Sequence, residues 1–539
     1  MDSLELKNLR AIQNSGELEL NNLNLFLGAN STGKSTILRF FPLIRQTLAR
    51  NNNSPILWYD SEGVDFGSFK ESVYSEDESK DISFKFTFKD MDIAFSSDIL
   101  LGALRAHLKK RDKSSLSSNY FFYISFDNIE KENIMKSIAF EVAINKDEYT
   151  KIEVSLNSKT IEFDLKNSTI NINGKTIASD ISFVVNTNSP KIIPELYYEP
   201  KDSDKKRYPL EKLIGEKLMS SMLEKTNPKI SIEALYRFVT SLKYYENRET
   251  FEEKSLSGVS QKTIQHTFKN NIESIYDYFT IFNILCIIKE TNSNLSRFFE
   301  NISYIAPVRA TAERYYRIQG LSVFDVDSMG SNVPMILNSM SSKDRTEWQK
   351  WTKENFNIEF ETKKSMGHSA IQVKATNGEK HNLADTGFGF SQILPVLLTV
   401  WKRLTRKQPD SSANYPYRHS HEYRKNDNKY ESLIIIEQPE LHLHPAMQAQ
   451  LADMLIKIII EHPTIRFIIE THSVVIMNRI GQHIEKDNAN IKNHKLEEKI
   501  NVFLVNPSET GKKNVTFTSF DKEGIIQEWP VGFLSGGIL

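Results

Sequence analysis

Apolar and polar residues alternate from the start of the chain: Leu4 and Leu6, Leu18 and Leu20, then Leu23, Leu25 and Leu27, with Gly16 at a turn. A period of two puts alternate side chains on one face, so these stretches predict short strands entering a core, the third ending at Gly28. Alternation returns over residues 81–90, 119–129, 137–145 and 151–177, where Asn173-Gly174 marks a hairpin, and predicts an antiparallel β-rich insertion. Between Tyr208 and Tyr304 the spacing turns helical, as in LEKLIGEKLMSSMLEK and SIYDYFTIFNILCIIKE, without the sustained heptads of coiled-coil arms. Its most apolar part, Phe279 to Ile288, is interrupted by Asn283 and is far shorter than the roughly 20 residues of a spanning helix, so it predicts a buried helix and no membrane anchor. Residues 407–430 are polar and aperiodic and read as a surface loop or disordered segment.

The third strand runs into GANSTGKST, residues 28–36, and then into the helix-like ILRFFPLIRQTLA. This is G-x-x-x-x-G-K-[ST] in its required setting, with Gly28, Gly33, Lys34 and Ser35 at the fixed positions. The glycines let backbone N–H groups curl around phosphate oxygens, and the helix N-terminus adds partial positive charge. Lys34 meets the β- and γ-phosphates, and Ser35 can hold Mg²⁺. Such an enzyme also needs an acid at the end of a neighbouring buried strand, and SLIIIEQPE, residues 432–440, supplies Glu437. Most of the chain separates Lys34 from Glu437, so the nucleotide domain must be split by insertions. A later strand, RFIIETHS at 466–473, ends in Glu470, Thr471 and His472; the histidine either reads a γ-phosphate or is structural. In NLADTGFGFSQILPVL, residues 382–397, Gly387 and Gly389 precede Ser391 and Gln392 at the start of an apolar helix, either a second anion-binding terminus or a packing turn.

Charge adds one constraint. Lys and Arg number 68 against 69 Asp and Glu, a net charge of −1, so any nucleic-acid contact must be a local patch. Arg105, Lys109, Lys110, Arg111 and Lys113 form one basic run, and Lys205, Lys206 and Arg207 another, although such runs are also ordinary solvated faces. Tyr415, Tyr417, Arg418 and Arg424 interleave aromatic and basic groups in the polar segment, with the same two readings. Cys286 is the single cysteine, which excludes an internal disulfide framework and a Cys-rich zinc site. His419, His421, His442 and His444 have no cysteine partners and are set aside as zinc ligands, and Asp325 and Asp327 read as a loop. Met1 to Leu20 is interspersed with charges and lacks a signal-peptide run, so a cytoplasmic protein is expected.

In this order, GANSTGKST, DTGFGFSQILP, IIIEQPELHLHP and IIETHS resemble four motifs of the ABC-type ATPase heads of the OLD-like group, relatives of the RecF and SMC heads. The motifs are the P-loop, a degenerate signature, Walker B with its D-loop, and the switch-histidine loop. LELKNLRAI, DFGSF at 65–69, YIAPVRATAERYY at 304–316 and WPVGF at 529–533 add to the resemblance, which is poor over residues 80–300. It implies an α/β fold, an ABC-type P-loop ATPase head split by a β-rich and a helical insertion. Residues 1–80 and 301–539 would form the head, 81–207 the β-rich insertion and 208–300 the helical one. It further implies that Gly28, Asn30, Gly33, Lys34, Ser35 and Thr36 bind ATP, and that Ser35 and Glu437 hold Mg²⁺. Gly387, Gly389 and Ser391 would cap the γ-phosphate of a facing subunit, His472 would be the switch histidine, and the chain would form a head-to-tail homodimer or larger assembly. There are two departures: Walker B ends in Glu437 where most ABC proteins have Asp, and Gln438 stands where the water-activating glutamate belongs. An amide cannot take a proton from water, so turnover is slow or Glu440 takes that role.

OLD proteins proper add a Toprim nuclease, whereas Asp521, Glu523 and Glu528 after His472 are too few and too local for one, so the chain is expected not to cut nucleic acid by itself. Among nuclease-less relatives it most resembles the PtuA ATPases of Septu antiphage systems, including retron-associated versions. That implies a separate HNH-type nuclease partner and, in retron-linked systems, a reverse transcriptase with its reverse-transcribed DNA. The alternative is a RecF-like DNA-repair clamp that closes on DNA under ATP.

Overall fold

In the computed structural model the described residues are 1–50, 54–61, 63–92, 100, 103–104, 134–179, 181–185, 191–200, 206–223, 238–239, 241–257, 259, 262–318, 323, 325–374, 378–405, 432–490, 494–507 and 513–529. The strand expected at 119–129, the first basic run, Lys205 and the polar segment with its histidines, tyrosines and arginines lie outside them, as does most of WPVGF. The chain divides into two compact units. One comprises residues 2–49, 56–82 and 297–539, the other residue 1 with 50–55 and 83–296.

The first unit is organised by a six-stranded sheet. Its strands are β1 (Leu23–Leu27), β2 (Ile302–Ile305), β3 (Ser432–Glu437), β4 (Ile465–Glu470), β5 (Ile500–Val505) and β6 (Val515–Thr518). They lie side by side in the order β2-β3-β4-β1-β5-β6, parallel except for β6. The runs LIII and FII suit strands covered on both faces, where period two gives way to continuous apolar sequence. β1 reads as alternating, yet all five of its residues are buried. Asn24 tolerates this because its Nδ2 donates to the carbonyls of Phe467 (3.0 Å) and Asn21 (2.8 Å), leaving no buried polar group unmet there. Four helices bear on the site: α1 (Lys34–Ala49), α2 (Phe388–Thr405), α3 (Pro445–Glu461) and α4 (Val474–Ala489).

α2 is held by aromatic packing. Trp401, near its end, meets Trp348 of the helix Ser342–Phe356 edge to face at 5.5 Å, and Trp348 also stacks on Phe360 at 6.2 Å. Asp325 and Asp327 are structural: Asp325 pairs with Arg45 (3.3 Å) and Arg403 (3.5 Å), while Asp327 accepts the backbone N–H groups of Met329, Ser331 and Asn332. In DFGSF, Ser68 caps the short helix that follows, forming a reciprocal capping box with Glu71.

In the second unit an antiparallel meander runs through Ile134–Asn145, Glu148–Leu156, Lys159–Asp164, Thr169–Ile172 and Lys175–Ala178. Its alternating residues, such as Ile152, Val154 and Leu156, are the buried ones. The last hairpin turns at Asn173 (φ 48°) and Gly174 (φ 78°), the left-handed pair that a tight two-residue turn requires. Helices follow at Leu210–Leu223, Arg248–Leu256 and Lys262–Asn270, then the 29-residue helix Ile272–Glu300. Phe279, Ile284 and Ile288 of that helix are buried, and Asn283 bonds its own turn through the Phe279 carbonyl (2.7 Å). No helix among the described residues is long and apolar enough to cross a membrane.

Candidate nucleotide site

β1 ends at Leu27, the loop 28–33 turns, and α1 begins at Lys34, so the first N–H groups of α1 have no partner within the helix and face the loop. The two glycines are required by the backbone. Gly28 has φ +150°, with a Cβ there reaching within 2.4 Å of the Val505 carbonyl oxygen, and Gly33 has φ +105°, with a Cβ 2.6 Å from Ile12 Cδ1. Asn30 is exposed at the tip, and Thr36 is buried inside α1. Lys34 is 3% exposed, and its Nζ donates to the Gly28 carbonyl (3.1 Å) and the Ala29 carbonyl (2.7 Å). It also lies 3.6 Å from Glu470 Oε1. Burial holds this ammonium below its ordinary pKa, opposed by Glu470, Glu437 and Glu440.

The two carboxylates that end β3 and β4 have different partners. Glu437, expected on a metal with Ser35, has both oxygens engaged elsewhere. Arg39 of α1 donates Nε to its Oε1 (2.8 Å) and Nη2 to its Oε2 (2.9 Å), and the Tyr304 hydroxyl donates to Oε1 (2.7 Å). The Ser35 hydroxyl instead donates to Glu470 Oε2 at 2.8 Å. β4 lies between β3 and β1, so the residue ending β4 is a neighbour of the loop, while the residue ending β3 is one strand further away. Glu470 is held above the ordinary carboxyl range by burial first and by the like charge of Glu437 second.

Gln438 sits at φ 43°, a left-handed backbone, with its N–H donating to the Glu470 carbonyl (2.8 Å). Glu440 accepts the Thr471 hydroxyl (2.8 Å) on one oxygen and the His472 N–H (2.7 Å) on the other, tying the D-loop to the turn after β4. Burial raises its pKa. His472 is pushed below its ordinary 6.5 by burial and by Lys34, so its ring is neutral at neutral pH. His444 caps α3, accepting the Ala446 N–H at 3.2 Å. α2 begins at Phe388, so Gly389 and Ser391 stand inside its first turn rather than before it. The Ser391 hydroxyl donates to the Phe388 carbonyl (2.8 Å) and is buried, whereas Gly387 and Phe388 are exposed. A Cβ on Gly389 would lie 2.9 Å from the His442 carbonyl, so the α2 turn is packed on the D-loop of the same chain.

Three contributors escaped the sequence reading. Arg39 and Tyr304 clamp Glu437, and Arg309 donates to the Glu437 carbonyl (2.9 Å) while its own carbonyl accepts Gln392 Nε2 (3.4 Å). Arg309 is 3% exposed and its Nε and Nη1 have no hydrogen-bond partner among the described residues; burial pushes its pKa down to about 10, opposed chiefly by Glu440. Tyr304 and Arg309 lay within the YIAPVR segment. Arg39, a lone cation within ILRFFPLI, was the available signal.

The donor set fits Mg·ATP: a glycine loop at a helix start for the phosphates, a buried ammonium, and hard hydroxyl and carboxylate oxygens beside each other at Ser35 and Glu470 for Mg²⁺. A loop of this form, an intervening strand and an acid-ended neighbour in one parallel sheet define an ABC-type P-loop ATPase head with insertions. The chain belongs to the AAA ATPase domain family, which matches residues 1–477. No curated protein matches it. Among solved structures it is similar to the SMC head domain from Thermotoga maritima, at 7% identity over 96% of this chain and 98% of that one, with a TM-score of 0.34. It is also similar to the Smc head domain with an extended coiled coil bound to the C-terminal domain of ScpA from Pyrococcus furiosus. There the identity is 12% over 97% of this chain and 96% of that one, and the TM-score is again 0.34.

Proposed function

We propose that the chain is a slowly hydrolysing ATP switch whose nucleotide state controls a separate effector nuclease. One observation carries the reading: Lys34, Ser35, Glu470, Glu440 and the His472 turn converge on one loop, while the position that should activate water is Gln438. Lys34 neutralises the β- and γ-phosphates, the loop N–H groups orient them, and bound Mg²⁺ supplies charge neutralisation on the phosphate oxygens. With no proton acceptor at Gln438 the attacking water keeps its proton longer, and the ATP-bound conformation persists. A long-lived bound state is what a ligand needs to hold one of two conformations through differential affinity.

The order of the four motifs supports a head-to-tail dimer in which the exposed Gly387-Phe388 turn meets the γ-phosphate on the other subunit, and the resemblance to PtuA ATPases supports an HNH-type nuclease partner in antiphage defence. Co-purification of the chain with its neighbouring gene products, followed by a nuclease assay, tests this. The complex should cleave nucleic acid in a manner altered by ATP and by Lys34→Ala, and the chain alone should not cleave. Cleavage by the chain alone would overturn the partner assignment. Tight DNA binding under ATP with no nuclease partner would establish the RecF-like clamp instead.

A further inference from the structure

We infer that the β-hairpin of strands Glu359–Ser365 and His368–Lys374 is a contact for duplex DNA, Met366 at its tip entering the minor groove and Lys363 and Arg317 reaching the phosphates on either side. The inference goes beyond the ATP reading and does not rest on it. Met366 and Gly367 make the two-residue turn of the hairpin, with φ 42° and 79°. Such a turn takes Asn, Asp or Gly because both of its residues are left-handed, as the Asn173-Gly174 turn of this chain does. A long apolar side chain in that place strains the backbone, and it is 98% exposed, so burial against the described residues does not offset the strain. A residue that breaks a local rule without an internal gain points to a partner outside the chain.

The tip is also cationic. No acidic residue lies between Thr362 and Lys374. Phe360, Ile371 and Val373 are buried, Phe360 against Trp348, and the register puts Lys363, His368, Arg317 and Lys374 on the opposite face of the sheet. The two carboxylates of that face are already neutralised, Glu361 by Lys380 (2.6 Å) and Glu359 by Lys353 (2.9 Å). Lys363 and Arg317 are exposed, and the strand His368–Lys374 runs between theirs, so their backbones stand about 10 Å apart. From there two long side chains can reach both phosphate walls of a minor groove about 6 Å wide. An apolar wedge flanked by cations is how proteins unstack a single base step. A membrane would need a broader apolar face than Met366 and its exposed neighbour Ile318 provide.

The test uses the full-length chain and a fluorescein-labelled duplex of about 30 base pairs, three helical turns, read by anisotropy over a salt series with and without ATP. The parent should bind, and Met366→Asn should weaken binding about 10-fold, the value of burying one apolar side chain. Asn accepts a left-handed backbone, so this variant should unfold at or above the parent's temperature, which separates the loss from a folding defect. Met366→Leu should bind within about threefold of the parent. The double variant Lys363→Ala, Arg317→Ala should lower the slope of log affinity against log salt by about 1.8, two phosphate contacts, whereas Met366→Asn should leave the slope unchanged. No binding by the parent in either condition, equal affinity in Met366→Asn, or an unchanged slope in the double variant would each overturn the assignment. So would Met366-dependent binding to phosphatidylserine vesicles in place of DNA, or to single-stranded DNA as tightly as to the duplex, since a single strand offers no groove.

Discussion

Gln438 and Glu440 are two residues apart in sequence and do different things in space. Gln438 is fixed by its backbone bond to the β4 end, so its side chain is free to be changed without moving the strand. Gln438→Glu should therefore raise ATP turnover, by about 10²-fold or more if the new carboxylate reaches the water as a general base. Glu440 commits both oxygens to Thr471 and His472, which makes its ionised form the strut of the turn after β4. Burial raises its pKa above the ordinary 4.5, as it does that of Glu470, so turnover should fall as pH is lowered through values above 4.5, and Glu440→Gln should remove the Glu440 share of that limb. The unfolded chain, with the lower pKa, binds fewer protons there, so this group contributes stability below the unfolded value that is lost as pH rises through the folded one. A flat response to Gln438→Glu, with turnover abolished by Glu440→Gln, would make Glu440 the base itself. The loop residues were legible because a phosphate cradle fixes residue type and spacing together. The partners of Glu437 were not, because Arg39, Tyr304 and Glu437 meet only through the sheet, from three distant parts of the chain.

Elements are joined at the site by that same clamp, which ties α1 to β2 and β3. Arg39→Ala would leave the Glu437 carboxylate, 1% exposed, without its cation. Because Arg39 itself is 33% exposed and water can partly replace it, the loss should be about 2–4 kcal/mol, below that of a fully buried pair. Tyr304→Phe should cost about 1–2 kcal/mol, and the double variant less than the sum, since both act on one carboxylate. Denaturant unfolding of the four proteins measures both effects, and strict additivity would show that the clamp is not a unit. Helical spacing identified α1 and alternation identified the meander strands, because burial of one face imposes a period. The order β2-β3-β4-β1 carries no such mark: parallel neighbours need no short turn between them, so the sequence named the acid-ended strands but not which of them adjoins the loop.

At the scale of the whole molecule the claim is that a long-lived ATP state is transmitted across subunits to a partner. Ser391 is buried in its own helix turn, whereas Gly387 is exposed, and a Cβ there meets none of the described residues within 4 Å. Mixing Lys34→Ala with Gly387→Glu chains should restore turnover above that of either alone, because one composite site per mixed dimer keeps both an intact loop and an intact turn. No recovery in mixtures proven to contain mixed dimers would refute the in-trans arrangement. All of this depends on Lys34. Its ammonium rests on the Gly28 and Ala29 carbonyls and against Glu470, contacts that a bound phosphate chain would replace. Equilibrium titration of ATP into the parent chain and into folded Lys34→Ala is the most direct test. The account predicts saturable binding to the parent and a loss of about 10- to 100-fold or more in the variant, the value of one charge-assisted contact at about 1.5–3 kcal/mol. Equal affinity in the two would contradict it.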